Sequence, residues 1–141
     1  MARKRHLSRI AVMQVLFEHL SRGVNMQDSL QRNVRELGEA DSAFAEALLS
    51  GVLDHEEELQ KAIVEHAPGW TLERMDPIAR CVLFVGTFEL LFANDAPPAV
   101  AMNEAIDIAK EYGTDESGKF VNGVLNAIAH DPAIAVNHVA K

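Results

Sequence analysis

The segment from Asp76 to Ala93, DPIARCVLFVGTFELLFA, constrains the fold more than any other part of the chain. Asp76 is suited to cap a helix, and Pro77 fits the first helical turn, where a missing N–H costs nothing. From Pro77 to Ala93 the residues are apolar on nearly every face, so the helix they form has to be enclosed by other helices. Thr87 and Glu89 break the apolar run and argue against a membrane span. Arg80, Phe84, Thr87 and Leu91 share one side, and any polar opening of this helix toward solvent is expected along that line. A carboxylate at Glu89, buried in such surroundings, requires a structural partner.

The rest of the chain supplies helices to surround it. From about His6 to Leu20, the residues Ile10, Met13, Leu16, Phe17 and Leu20 form a broad apolar arc, with Gln14 and Glu18 as the wet stripe and Arg9 at its edge, placed to snorkel outward. A second helix runs from Met26 to Leu37 and stops at Gly38. Between Asp41 and Glu65 the spacing of Phe44, Leu48, Leu49, Val52, Leu53, Leu59 and Ile63 fits two consecutive helices, with Glu56-Glu57-Glu58 as a solvated acidic tip. The break at Ala67-Pro68-Gly69-Trp70-Thr71 leads into the central helix.

Beyond it, Pro97-Pro98 opens a helix that Gly113 closes. Ala101, Ala105, Ile108, Ala109 and Tyr112 fall on its packed face, Asn103, Asp107 and Lys110 fall opposite, and Glu104 lies at the margin as an ion-paired structural residue. In the last helix Val121, Val124, Leu125 and Ile128 make the buried stripe. Phe120 is turned about 100° from Val121, toward Gly123 and Ala127. A glycine inside a helix costs about 1 kcal/mol relative to alanine, so Gly123 suggests a close approach to the backbone. Phe120 either offers a π-face to an unstacked base or fills a groove against a neighbouring helix. With no strand pattern of alternating polarity, the chain reads as all-α, a single compact bundle of about seven helices.

At 141 residues and 48% hydrophobic content, one domain fits. The formal charge of −8 disfavours a general nucleic-acid binder. It is unevenly placed, however. Arg3, Lys4, Arg5 and Arg9 give residues 1–9 a charge of +4, which leaves nine of the thirteen basic residues against all twenty-one acidic ones. Such a basic N-terminal arm, 1–9, on an acidic body can reach phosphates while the body repels non-specific attachment, although ordinary solubilising charge explains it as well. Residues 131–141 read as a flexible tail. The N-terminus lacks the apolar core of a secretory signal, so a cytoplasmic location is expected. Cys81, the single cysteine, reads as an inert core thiol.

No phosphate-cradling glycine motif, nucleophile elbow or clustered metal ligands can be found, so neither catalytic residue, metal nor cofactor is expected.

Several segments resemble the NusB family of bacterial transcription antitermination factors: Val100-Ala101-Met102-Asn103-Glu104-Ala105, Ala109-Lys110, Lys119 to Leu125, Phe88-Glu89-Leu90, Asp76, and Arg9, Gln14 and Leu16-Phe17. The resemblance covers about residues 5–128, and the Lys-Phe-Val-Asn-Gly run is its most specific part. It implies a seven-helix RNA- and partner-binding domain over 5–130, without enzymatic activity. Its expected partners are boxA-type single-stranded nascent RNA, the ribosomal protein NusE and the RNA polymerase antitermination complex acting on ribosomal RNA genes. It further implies RNA contacts at Arg5, His6 and Arg9, with Arg3 and Lys4 adding charge, and at Phe120, with Lys119 and Glu116 of the adjoining loop on the same surface. The chain departs from the family pattern at Phe84 and His6, positions that often hold arginine. A protein-only helical adaptor and an in-trans accessory domain for an RNA methyltransferase are the rival readings.

Overall fold

A computed structural model describes residues 2–93 and 96–134. Seven α-helices are formed among them, and no strand: α1 (Ala2–Arg22), α2 (Met26–Leu37), α3 (Ser42–Asp54), α4 (Glu56–Glu65), α5 (Pro77–Leu91), α6 (Pro98–Tyr112) and α7 (Asp115–Ala129), with a short 3₁₀ turn at Leu72–Arg74 before α5. The expected all-α bundle is present. Helix α5 is its axis, packed by α1, α3, α4, α6 and α7. Its start follows the sequence logic: the Asp76 carboxylate accepts from the Ala79 N–H at 3.2 Å, and Pro77 opens the first turn.

Two apolar clusters meet at α1. In one, Leu7, Ile10 and Met13 pack with residues of α4 to α7; in the other, Ala11, Val12 and Val15 pack with Leu30 of α2 and Ala45, Leu48 and Leu49 of α3. Helix α1 is therefore buried on two sides. This corrects the single arc expected for it, since Leu20 is exposed and Glu18 lies under α2, where it accepts from Ser29 Oγ at 2.7 Å and from the Arg32 guanidinium. The Arg32 bond, above all, holds the Glu18 carboxyl below the ordinary range.

Helix α1 also begins four residues earlier than periodicity suggested, so 2–9 are its first two turns and not a separate arm. No polar opening runs along α5, because Thr87 is fully enclosed and Phe84 is buried in the core. Tyr112, expected on a packed face, is exposed at the end of α6. Cys81 is buried, and desolvation pushes its thiol up to about 12, in keeping with an inert core group.

Residues 131–134 of the expected tail are fastened to the bundle, and 135–141 lie outside the described residues. His66, at the end of α4, stands between two acceptors: Nδ1 is 2.7 Å from the Ala62 carbonyl and Nε2 is 2.7 Å from Asp131 Oδ2. Only the imidazolium donates from both nitrogens. Burial works against that charge, but the Ala62 and Asp131 bonds outweigh it and raise the His66 pKa. A raised folded-state value contributes stability that is complete below the unfolded pKa of about 6.5 and is lost as pH rises through the folded value. Urea unfolding between about pH 5.5 and pH 8.5 should thus show wild type losing stability with rising pH relative to His66→Gln. Parallel profiles would contradict the assignment.

Candidate nucleic-acid interface

A buried ion network sets the direction of the basic end of α1. Arg9 is only 4% exposed. Its Nε and Nη2 donate to Glu89 Oε1 and Oε2 of α5 at 2.8 and 2.9 Å, while Nη1 donates to Glu104 Oε1 of α6 at 3.1 Å. Burial alone would lower the guanidinium pKa, but the two carboxylates more than compensate and it is raised. His6 Nδ1 meets the same Glu104 oxygen at 2.8 Å, and its Nε2 lies 3.8 Å from Glu111. Glu89 and Glu104 thus have the structural pairing expected of them. The outward snorkelling expected of Arg9 is corrected, because two facing carboxylates hold its head group inside the bundle.

This network pins α1, α5 and α6 together, and the first turns of α1 project from that point. Arg3 and Lys4 are exposed, whereas Arg5 is half-buried with its guanidinium 4.6 Å from the Phe44 ring centroid. Ser8 ties the segment to the cap of α3 by donating to the Asp41 carbonyl at 2.9 Å and accepting from the Asp41 N–H at 2.8 Å. Between these parts and the start of α6 lies a groove of about 440 Å³, bordered by Lys4, Arg5, Arg9, Asp41, Val100 and Glu104. Exposed cations on a helix that is rigidly seated can meet phosphates at little ordering cost.

A second feature sits at the other end of α6. Thr114 and Ser117 cap α7 reciprocally, and Ser117 Oγ donates to Asp76 Oδ2 at 2.8 Å, which fastens the start of α7 to the start of α5. That junction supports Phe120, which is half-buried against the core and meets the Trp70 ring edge-on at 5.3 Å. The packing alternative for Phe120 holds in part: the ring packs against a neighbour, and it also borders an open pocket of about 410 Å³ shared with Trp70, Asp76 and Glu116. Glu116 and Lys119 stand exposed on α7, 3.7 Å apart. Gly123 does not mark a close approach among the described residues, since a side chain there would meet open space.

Glu104 of the groove lies eight positions before Tyr112, the end of α6 that leads into the pocket, so roughly 12 Å of α6 separates the two features. Of the expected site residues, Lys4, Arg5 and Arg9 border the groove, with Arg3 and His6 on the same turns of α1; Glu116 and Phe120 border the pocket, with Lys119 beside them on α7. A ligand touching both must be extended, as a nucleic-acid strand is. Sequence reasoning missed three neighbours. Phe44 lies under Arg5 and Arg9, Trp70 faces Phe120, and the Arg74 guanidinium lies 5.4 Å from the Trp70 ring. A tryptophan beside a Pro-Gly break was the available signal for the second. No group of three or more His, Cys, Asp or Glu able to hold a metal occurs among the described residues.

Fold and surface together define an all-helical, acidic bundle that presents a locked cationic helix end and an aromatic pocket. The chain belongs to the NusB family, whose sequence model matches residues 6–130. Among its relatives, the transcription antitermination protein NusB of Methylacidiphilum infernorum is 35% identical over 85% of this chain and 86% of its own length, and that of Bacillus subtilis is 36% identical over 91% and 96%. Among solved structures, NusB of T. maritima superposes with a TM-score of 0.81 at 36% identity, covering 90% of this chain and 91% of that one. A chain in the crystal structure of antitermination factors NusB and NusE in complex with dsRNA gives a TM-score of 0.81 at 30% identity, covering 92% and 98%.

Proposed function

We propose that this chain is a bacterial transcription antitermination factor. It binds boxA-type nascent RNA together with the ribosomal protein NusE, inside the RNA polymerase complex that transcribes ribosomal RNA genes in the cytoplasm. The observation that carries the proposal is the pairing of an exposed basic helix start, seated by the Arg9 network, with an aromatic pocket one helix length away. The likeness to a chain of a NusB–NusE complex solved with dsRNA supports its RNA- and NusE-binding part over nearly the full chain. Cations at the groove fix the backbone of the strand, while Phe120 offers a ring face that only an unpaired base can reach. The chain has a binding role and no reaction to catalyse.

Affinity from these parts alone is modest. Three neutralised phosphates, at Arg3, Lys4 and Arg5, give a single-strand salt slope of only about −2. A second protein on the same RNA adds contacts without a second search, so coupling is the expected mechanism. Titration of labelled boxA RNA with the chain, with and without NusE and at two salt concentrations, should show tighter binding when NusE is present. Equal affinities in both cases would count against the proposal, and binding of NusE without any effect on RNA would favour the protein-only adaptor.

A further inference from the structure

The wall opposite Phe120 has a composition that suits more than packing. Trp70, the only tryptophan of the chain, is 41% exposed and borders the pocket with Phe120. Arg74 holds the indole in place: its guanidinium lies 5.4 Å from the ring centroid, and its Nη1 donates to the Gly69 carbonyl at 3.2 Å. Asp76 lines the same pocket, and its two hydrogen bonds, from Ala79 N–H and Ser117 Oγ, both fall on Oδ2. A carboxylate has about four acceptor positions, so a fixed acceptor oxygen, Oδ1, has capacity left.

We infer that this pocket takes one unstacked nucleobase that carries an exocyclic amino group, with Trp70 as a second stacking wall and Asp76 as the acceptor that reads the amino edge. The inference rests on the RNA-binding reading and names the chemistry of its aromatic end. A volume of about 410 Å³ holds a base with room to spare. Charge complementarity selects the occupant. Asp76 and Glu116 line the pocket, and Glu116 is offset by Lys119, so the Asp76 carboxylate is the group that favours a base edge that donates. Guanine, adenine and cytosine each present an amino group, whereas the pairing edge of uracil sets two carbonyl oxygens around a single N–H. Lys119, exposed one residue before Phe120, is placed for the flanking phosphate.

The test uses the full chain with NusE and a set of boxA RNAs in which one position at a time carries each of the four bases. Trp70→Ala should weaken binding by about tenfold, and Trp70→Phe should stay within about twofold of wild type. Asp76→Asn keeps an acceptor oxygen for Ala79 and Ser117 but turns an amide N–H₂ toward the base, so at one position the preference should move from amino-bearing bases to uracil. With the chain alone, saturating RNA should quench Trp70 fluorescence. Wild-type affinity in Trp70→Ala, or an unchanged base preference in Asp76→Asn, would overturn the inference and leave the RNA-binding reading intact. Quenching by NusE in place of RNA would overturn it too, by making the pocket a protein contact. Absence of RNA binding by wild type with NusE would remove both.

Discussion

Arg9→Ala is expected to lower the unfolding free energy by about 3–5 kcal/mol, because removing one partner of a buried ion pair leaves the other charge enclosed. The loss is a large fraction of the 5–15 kcal/mol that holds a typical domain together. Both carboxylate oxygens of Glu89 lose their guanidinium donors, and Glu104 keeps His6 but loses Nη1. Arg9→Lys should recover only part of the stability, since an ammonium cannot reproduce the two-pronged geometry. Replacing the pair together, as Arg9→Met with Glu89→Leu, should be far milder than Arg9→Ala, because Glu89 is then not left as an unpaired buried charge and the part-buried Glu104 keeps His6. Urea unfolding with the slope held constant measures all three. A change below about 1 kcal/mol for Arg9→Ala would show that the network does not seat α1.

Substituting Arg3, Lys4 and Arg5 with alanine together should reduce the salt slope of RNA binding by about 2, from roughly 0.7 per phosphate contact. The accompanying loss of affinity should be greatest at low salt and nearly independent of RNA sequence, as expected of side chains proposed to meet the backbone and not base edges. Arg3 and Lys4 are exposed and should cost little stability, while loss of the half-buried Arg5 from the Phe44 ring should cost about 0.5–1 kcal/mol. Titration at a series of salt concentrations separates this outcome from misfolding. An unchanged slope would mean that the basic end of α1 does not touch phosphate, and retention of NusE binding with no other effect would favour the adaptor reading. The opposite pattern, a loss concentrated at one base, is the outcome expected for substitution of Phe120 or Trp70 under the proposed base contact.

Much of the architecture could be read from local rules. Asp76-Pro77, Pro98, Gly38 and Gly113 mark helix boundaries through capping and proline geometry, which act within a few residues of the chain. The all-apolar run after Pro77 could only be a central helix, and the need of Glu89 for a partner followed from the cost of burying its charge. The identity of that partner did not follow. Arg9 lies eighty positions away, and periodicity reports which face a residue occupies, not what faces it. The same limit explains Glu18, which looked wet until α2 covered it, and Leu20, which looked buried until no helix covered it.

For the functional surface the division is similar. The amino-acid order alone determined that this is a helical bundle with an acidic body, a basic first turn and an aromatic beside small residues on the last helix, because charge count and helical period are properties of a single segment. Tertiary packing decided that Arg9 turns inward, that the basic end and Phe120 stand at opposite ends of α6, and that Trp70 and Asp76 share a pocket with Phe120. Those outcomes depend on distances between residues far apart along the chain. They are set by which buried charges must be neutralised and which apolar faces must be covered, and these are conditions on the assembled bundle as a whole.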